Sequence, residues 1–257
     1  MRVRLKNPDL LAGKNGDGKR QRLQETATAR HSDCKTKRLQ DTMGRRALRR
    51  IDPNLDLSAF LLEADAVPRP CTAESLFAHD LPLEIEVGSG KGLFMRRAAA
   101  ARPDHCFLGI EIVYKYARFA AAALAKRGLT NAKMVAGDAA RLFEEAVPDD
   151  TLHAVHIYFP DPWWKKRHHK RRIMQASFLR HVERTLRPGG QLHFWTDVEE
   201  YFQQSLEVLS ETTTLIGPEP VAEEPAVDDM DYRTHFERRM RLHDEPVYRS
   251  EFRKPPV

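Results

Sequence analysis

The sequence has few cysteines and no long apolar segment. Its three cysteines, Cys34, Cys71 and Cys106, are isolated and form no CxxC pair, so neither a disulfide framework nor a zinc knuckle is predicted. No apolar run approaches the length needed to span a bilayer, and the N-terminus lacks the apolar core of a secretory signal. These absences predict a cytoplasmic protein that has no membrane partner.

The sequence also lacks a convincing set of metal ligands, although it contains 11 histidines. The nearest pairs are His168 with His169 and His153 with His156. Adjacent histidines in a cationic run have poor ligand geometry, and His153 and His156 would point to opposite faces of a strand. Because a tetrahedral site needs three or four convergent ligands, no bound metal is predicted.

Positive charge is concentrated at the start of the chain. The formal net charge is +5, and residues 1–50 contain 15 Lys or Arg against 5 Asp or Glu. This segment therefore carries +10 and the remaining residues carry −5. We predict a basic, flexible arm over 1–50, a linker with Pro53, Pro68 and Pro70 over 51–79, and an ordered domain over 80–257. Charge alone leaves open whether the arm binds nucleic acid or only aids solubility.

Strand and helix patterns alternate from residue 83 onward. Buried strands are predicted at 83–87, 105–112, 131–138, 151–159 and 191–197, and helices at 91–102, 113–128, 174–186 and 198–211. Residues 217–231 are predicted as a loop, and the charged tail after it as two further strands. Strict alternation predicts an α/β fold, a doubly wound Rossmann-like sheet of about seven strands with helices on both faces.

Acidic residues end the first three predicted strands. Glu86 precedes the run Gly88-Ser89-Gly90-Lys91-Gly92, Glu111 ends the second strand, and Asp138 follows the third. Ligands of such sheets bind at this edge, and an acid after the second strand suits the two hydroxyls of a ribose. Glu86 would repel a pyrophosphate but suits a cation. S-adenosylmethionine has the ribose, the adenine and both an ammonium and a sulfonium.

The stretch YFPDPWWKKRHHKRR, residues 158–172, follows the fourth predicted strand. Prolines on both sides of Asp161 restrict the backbone and aim its carboxylate. Its four aromatic residues suit a flat heterocycle with N–H donors, and the cations after them suit phosphates. The alternative is a well-packed turn beside a solvated cationic helix start, which explains the prolines but not the clustering.

The motifs IEVGSGKG, GIEI, AGDA, YFPDPWWKKRHHKRR, WTD and THFE occur in this order between about residues 80 and 255. In these motifs the chain resembles the bacterial tRNA (guanine-N7-)-methyltransferase family. The resemblance implies a class I methyltransferase that uses S-adenosylmethionine to form 7-methylguanosine in tRNA, at position 46 in the variable loop. Whether the protein is a monomer or a homodimer stays open.

The resemblance also implies roles for individual residues. Asp161 is implied as catalytic, and cofactor contacts are predicted for Glu86, Gly88, Gly90, Glu111, Asp138 and Asp161. Substrate contacts are implied for Lys165, Asp197, Thr234, His235, Phe236 and Glu237. Phosphate contacts are predicted for Lys166, Arg167, Lys170, Arg171 and Arg172. The chain departs from the family pattern at Trp164, where some members have His, and at His235, where many have Lys.

Two other function classes are compatible with parts of the pattern. A nicotinamide-dependent oxidoreductase would accept the placement of Glu111, but the glycine spacing is not G-x-G-x-x-G and no second substrate domain is predicted. A methyltransferase fold kept as an RNA clamp would explain the cations. The complete set of acids at the strand ends favours an enzyme over both.

Overall fold

An eight-stranded sheet forms the centre of the computed structural model, which describes residues 48–223, 225–226 and 232–256. Nearly all of the predicted basic arm, residues 1–47, therefore lies outside the described residues. The strands are β1 Leu61–Glu63, β2 Leu83–Val87, β3 Cys106–Glu111, β4 Ala132–Ala136, β5 Leu152–Tyr158, β6 Leu186–Thr196, β7 Ile216–Pro220 and β8 Tyr248–Arg253.

The strand order is β1-β4-β3-β2-β5-β6-β8-β7. Neighbouring strands from β1 to β6 are parallel, and β8 pairs antiparallel with both β6 and β7. The first long strand, β2, lies between β3 and β5, so the chain runs outward from β2 in both directions. The carboxyl end of β2 is therefore the switch point, where open α/β sheets bind their ligands.

Helices cover both faces of this sheet, as predicted. They are α1 Ala73–Phe77, α2 Leu93–Ala101, α3 Tyr114–Ala125, α4 Ala139–Glu145, α5 Ala176–Thr185, α6 Glu199–Thr212 and α7 His235–Leu242, with 3-10 helices at Ala64–Ala66 and Lys166–Arg171. Alternate strand residues enter two separate cores: Ile85 and Val155 pack with α4, α5 and α6, whereas Phe107 and Met134 pack with α2 and α3. No helix in the described ranges is long and apolar enough to cross a membrane.

Two predictions for the C-terminal part were wrong. The predicted loop begins instead with the edge strand β7, where Pro218 and Pro220 are tolerated because an edge strand has N–H groups that need no partner. The tail forms α7 before β8, rather than two strands. Thr234 caps α7 by accepting a hydrogen bond from the Glu237 N–H, so the T-x-x-E pattern was the helix signal that the strand prediction ignored.

Three further elements had no counterpart in the predicted set. Residues 51–79, predicted as a linker, contribute α1 and the strand β1, which pairs with β4. Helix α4 begins after Asp138, whose side chain accepts a hydrogen bond from the Ala140 N–H. The sheet consequently has eight strands where about seven were predicted.

Candidate active site

Three of the predicted acids meet at the carboxyl ends of neighbouring strands. Glu86 lies on β2, Glu111 ends β3, and Asp161 follows β5. Burial raises the pKa of both Glu86 and Glu111, and a neighbouring acid adds a smaller contribution in each case, Glu111 to Glu86 and Asp161 to Glu111. Asp138 is exposed and caps α4. The predicted cofactor acids thus lie along one edge of the sheet.

Glu86 is a buried carboxyl with an unsatisfied oxygen. It is 3% exposed, and its Oε2 has no hydrogen-bond partner among the described residues. Burial raises its pKa to about 8, against a hydrogen bond with Ser89 and with a smaller contribution from Glu111. A buried carboxyl of this kind is stabilised when a cation binds beside it, because the cation favours its ionised form.

The glycine loop after β2 places backbone N–H groups against Glu111. The Gly90 N–H donates to Oε2 of Glu111 at 2.8 Å, and the Val113 N–H donates to Oε1 at 2.9 Å. Gly88 and Gly90 have φ of +78° and +52°, with no atom within 4 Å of the position of an added Cβ. The left-handed backbone therefore favours glycine here, and the space beside it stays open. The loop, Glu111 and the unsatisfied Glu86 fit S-adenosylmethionine.

The turn that carries Asp161 is strained and firmly held. Phe159 and Trp163 have φ of +51° and +43°, and such left-handed residues cost on the order of 1–3 kcal/mol each. Arg172 fixes the turn, since its Nε donates to the Pro162 carbonyl at 2.7 Å and its guanidinium lies 4.7 Å from the centre of the Tyr201 ring. Strain at a fixed turn indicates a functional conformation.

Asp161 itself is exposed, and no hydrogen bond to its carboxylate is found in the described part of the chain. Partial burial of the carboxyl group nevertheless raises its pKa. A carboxylate presented this way is available to accept hydrogen bonds from a ligand.

Fewer aromatic side chains are available to a ligand beside Asp161 than the sequence predicted. Phe159 stacks on Phe236, with ring centroids 5.6 Å apart and 20° between planes, which brings the first turn of α7 to the Asp161 turn. Tyr158 is buried, however, and Trp164 packs against the core. Of the four aromatic residues predicted to line the site, Phe159 and Trp163 therefore remain as candidates, and Phe236 lies beside Phe159.

The segment Thr234–Glu237 is predicted to contact substrate, but part of it already has structural contacts. Besides the Thr234 cap, the 3% exposed Glu237 accepts from the Arg233 N–H at 2.6 Å and lies 3.6 Å from Arg249 Nη2. His235 is exposed. The substrate contacts of this segment stay predictions, and His235 and Phe236 are placed best for them.

The cations of residues 165–172 divide into two groups. Five are exposed, namely Lys165, Lys166, Arg167, Lys170 and Arg171. Arg172 is half-buried and also donates to Gln204 Oε1 at 2.5 Å, so its guanidinium holds the turn. Burial, and then the charges of Arg171 and Arg167, lower the pKa of His168. Four of the five predicted phosphate contacts, all except Arg172, are therefore exposed, and so is the predicted substrate contact Lys165.

Asp197, a predicted substrate contact, follows β6 and is half-buried. Its Oδ2 lacks a hydrogen-bond partner within the described ranges, and burial, with a contribution from Glu245, raises its pKa to about 6. Sequence reasoning missed Arg233, which donates to the Tyr158 hydroxyl at 3.2 Å. Its position directly before the THFE motif was the available signal.

Comparisons with known proteins point to one family. A family model described as a putative methyltransferase matches residues 80–250. The chain is 49% identical over 218 residues to the tRNA (guanine-N(7)-)-methyltransferase of Rhodopirellula baltica, which covers 82% of this chain and 80% of that protein. It is 39% identical over 169 residues to the enzyme of that name from Alcanivorax borkumensis, covering 65% and 70%. It is 40% identical over 174 residues to the enzyme of that name from Cupriavidus necator, and this match covers 67% of this chain and 66% of that protein.

Proposed function

We propose that this chain, which belongs to the tRNA (guanine-N7-)-methyltransferase family, transfers a methyl group from S-adenosylmethionine to N7 of a guanine in tRNA. The observation that carries the proposal is Glu86, a buried carboxyl with one unsatisfied oxygen beside an open glycine loop. A methyl donor that is cationic and carries a ribose satisfies Glu86 and Glu111 together. A pyrophosphate cofactor would leave Glu86 Oε2 without a hydrogen bond, and the negative charges of the two groups would repel each other.

The chain's own residues bind and orient the reactants. When bound, S-adenosylmethionine supplies an electrophilic methyl group on its sulfonium. Glu86 stabilises the positive charge of the donor, and the backbone-held oxygens of Glu111 accept hydrogen bonds from ribose hydroxyls. Because guanine N7 carries no proton, no general base is required, and positioning supplies most of the rate.

Asp161 and Asp197 are the candidates for holding the guanine. Both carboxylates have free acceptor capacity, and guanine carries N–H donors on the edge opposite N7. A carboxylate that accepts from that edge leaves N7 free to face the donor, and it favours the positive charge that develops on the purine. Phe159 and Phe236 offer flat rings beside the same turn.

Methyl transfer to bulk tRNA, followed by nucleoside analysis, tests the proposal. We expect 7-methylguanosine as the labelled product, with none formed when the donor is omitted. Label in another nucleoside would overturn the assigned position of transfer. Isothermal titration with S-adenosylmethionine separates an enzyme from a non-catalytic RNA clamp, since a clamp would bind tRNA without binding the donor.

A further inference from the structure

A second cluster of titratable side chains surrounds Glu84, two residues before Glu86 on β2. Glu84 is 1% exposed. Its carboxylate accepts from Arg102 at 2.5 and 2.9 Å, and lies 2.7 Å from both His105 Nδ1 and His156 Nε2. The steps of methyl transfer described above use none of these contacts. The proposed methyl transfer therefore does not account for this buried cluster.

A solvent-facing groove of about 310 Å³ runs over this cluster. Its floor includes His193 of β6, which stacks on His156 with ring centroids 4.6 Å apart. Arg97 of α2 forms one side, and Arg233 also lines the groove. The volume lies at the lower end of the range for small-molecule sites, so it suits a ligand of about the size of one nucleotide.

Charge argues against a cation in this groove. Ligand atoms of Glu84, His105 and His153 do lie within 4.8 Å of one another. Arg102, however, already holds both oxygens of Glu84, and Arg187 is hydrogen-bonded to His153 Nδ1. A metal ion would have to displace one guanidinium and approach another, which like-charge repulsion disfavours.

Hydrogen-bond chemistry favours an anion instead. Because Arg187 can only donate, His153 Nδ1 accepts, and the neutral ring carries its proton on Nε2 as a donor. Burial and the charge of Arg187 lower the pKa of His153, which keeps the ring neutral. The guanidinium groups of Arg97, Arg102 and Arg233 also line the groove, and their positive charges outnumber the one carboxylate among its described lining residues, Glu84. A phosphate has the matching acceptors and charge.

The groove lies a defined distance from the Asp161 turn. Along β5, Ala154 in the groove and Phe159 at the turn are five residues apart, which is about 17 Å. At about 3.4 Å per nucleotide of one strand, this corresponds to roughly five nucleotides. Arg233 connects the two places, because it lines the groove and directly precedes the segment whose Phe236 stacks on Phe159.

We propose that this groove binds the sugar-phosphate backbone of the tRNA substrate, roughly five nucleotides from the target guanosine. The proposal rests on the proposed function, because it takes tRNA as the polyanion that reaches the site. A free nucleotide or inorganic pyrophosphate offers the same phosphate chemistry, so the test must separate these sources from RNA.

The decisive comparison is Arg97→Gln against Arg180→Gln. Arg180 is exposed on α5, whose buried residues belong to the core on the opposite face, so its loss removes the same charge away from the groove. For Arg97→Gln, the slope of log tRNA affinity against log salt should become shallower by about 1. One lost phosphate contact weakens binding about eightfold at 0.1 M salt.

Arg180→Gln should leave slope and affinity unchanged, and both variants should bind S-adenosylmethionine as the wild type does. Equal slopes for Arg97→Gln and the wild type, or equal shifts in both variants, would overturn the proposal. RNA fragments with the target guanosine and fewer than about five flanking nucleotides on each side should not distinguish Arg97→Gln from the wild type.

Inorganic pyrophosphate separates the phosphate sources. If it raises the melting temperature of the wild type but not of Arg97→Gln, while the tRNA slopes are equal, the groove is a small-anion site and the tRNA proposal is wrong. A shallower slope in a protein that forms no 7-methylguanosine would support the groove while contradicting the proposed activity. Normal methylation with an unchanged slope would contradict the groove alone.

Discussion

Glu84 and Glu86 lie two positions apart on one face of β2, and yet their surroundings drive their ionisation in opposite directions. Burial disfavours the charged form of both. At Glu84, the hydrogen bond with His156, and then the charge and hydrogen bonds of Arg102, outweigh burial and hold the pKa well below its usual range. At Glu86 the hydrogen bond with Ser89 does not offset the burial, and the pKa rises to about 8. Other side chains of the protein satisfy the Glu84 carboxylate, whereas Glu86 keeps an oxygen that a cationic ligand would satisfy.

Binding of S-adenosylmethionine should therefore release a proton. Below pH 8 the Glu86 carboxyl is mostly neutral without a ligand, and a cationic donor favours the ionised form. We expect the donor to bind more tightly as pH rises from 6 to 8, by up to about tenfold per unit. Calorimetry in buffers of different ionisation enthalpy measures the release. Glu86→Gln should remove it, and an unchanged release in that variant would show that another group is responsible.

The same carboxyl should destabilise the ligand-free protein at higher pH. Its folded-state pKa of about 8 lies above its ordinary value of 4.5, so the stability held by the neutral form is fully present below pH 4.5 and is lost as pH rises toward 8. Glu86→Gln lacks this loss. The melting temperature of the variant should therefore exceed that of the wild type more at pH 8 than at pH 5, and a constant difference would contradict the assignment.

Replacing Asp161 should affect turnover more than cofactor binding. If its carboxylate holds the guanine, Asp161→Ala should lower kcat by about 10²-fold, the cost of a misplaced reactant. The affinity for S-adenosylmethionine should change far less. The kcat of Asp161→Asn, which keeps one acceptor, should fall between those of the wild type and Asp161→Ala. Equal losses of turnover and cofactor affinity in Asp161→Ala would instead indicate a cofactor-binding role alone.

At the scale of elements, the close approach of α2 and α3 fixes the start of α2 next to the glycine loop. A Cβ added to Gly92 would lie 2.6 Å from Ala120 Cβ, and the Gly92 φ is +69°. The two helices would have to separate, and overpacking of this kind is not relieved by a rotamer change. The geometry of the loop thus depends on a contact between two helices.

Gly92→Ala should therefore destabilise the protein more than Gly128→Ala. Gly128 has a similar φ of +63° with no atom within 4 Å of an added Cβ, so alanine there costs only the backbone strain, about 1–2 kcal/mol. At Gly92 overpacking adds about 1–3 kcal/mol. Urea unfolding measures both variants. Equal losses of unfolding free energy would show that the helices move apart without cost.

At the scale of the whole molecule, charge is unevenly distributed. The sequence assigns +10 to residues 1–50 and −5 to the rest, while five exposed cations of the described part lie together at residues 165–171. A protein whose remainder is acidic must still approach a polyanion. We therefore propose that the basic arm contacts tRNA phosphates and contributes affinity but no choice of base.

Deleting residues 1–50 should flatten the slope of log tRNA affinity against log salt by several units, because each lost phosphate contact contributes about 0.9. The modified nucleoside should remain 7-methylguanosine. Measuring tRNA binding across a salt series checks this, with S-adenosylmethionine affinity as the folding control. An unaltered slope would leave the arm with a role in solubility only.

The residues that can be located from sequence are those that end strands. Hydrophobic periodicity places β2, β3 and β5, and parallel strands share one carboxyl edge, so the sequence alone predicts that Glu86, Glu111 and Asp161 lie together. Local signals failed where they competed: the T-x-x-E cap at Thr234 predicts a helix, whereas the overall pattern of the tail favours strands.

What the amino-acid sequence determined by itself is the order of elements, the edge that binds ligands and the family pattern of the motifs. Only the tertiary structure decided how individual side chains are used. Arg172 clamps a turn, Phe236 stacks on Phe159, and Glu84 meets His156 from 72 positions away. Such contacts depend on strand register and helix packing, because these bring together side chains whose separation along the chain carries no period.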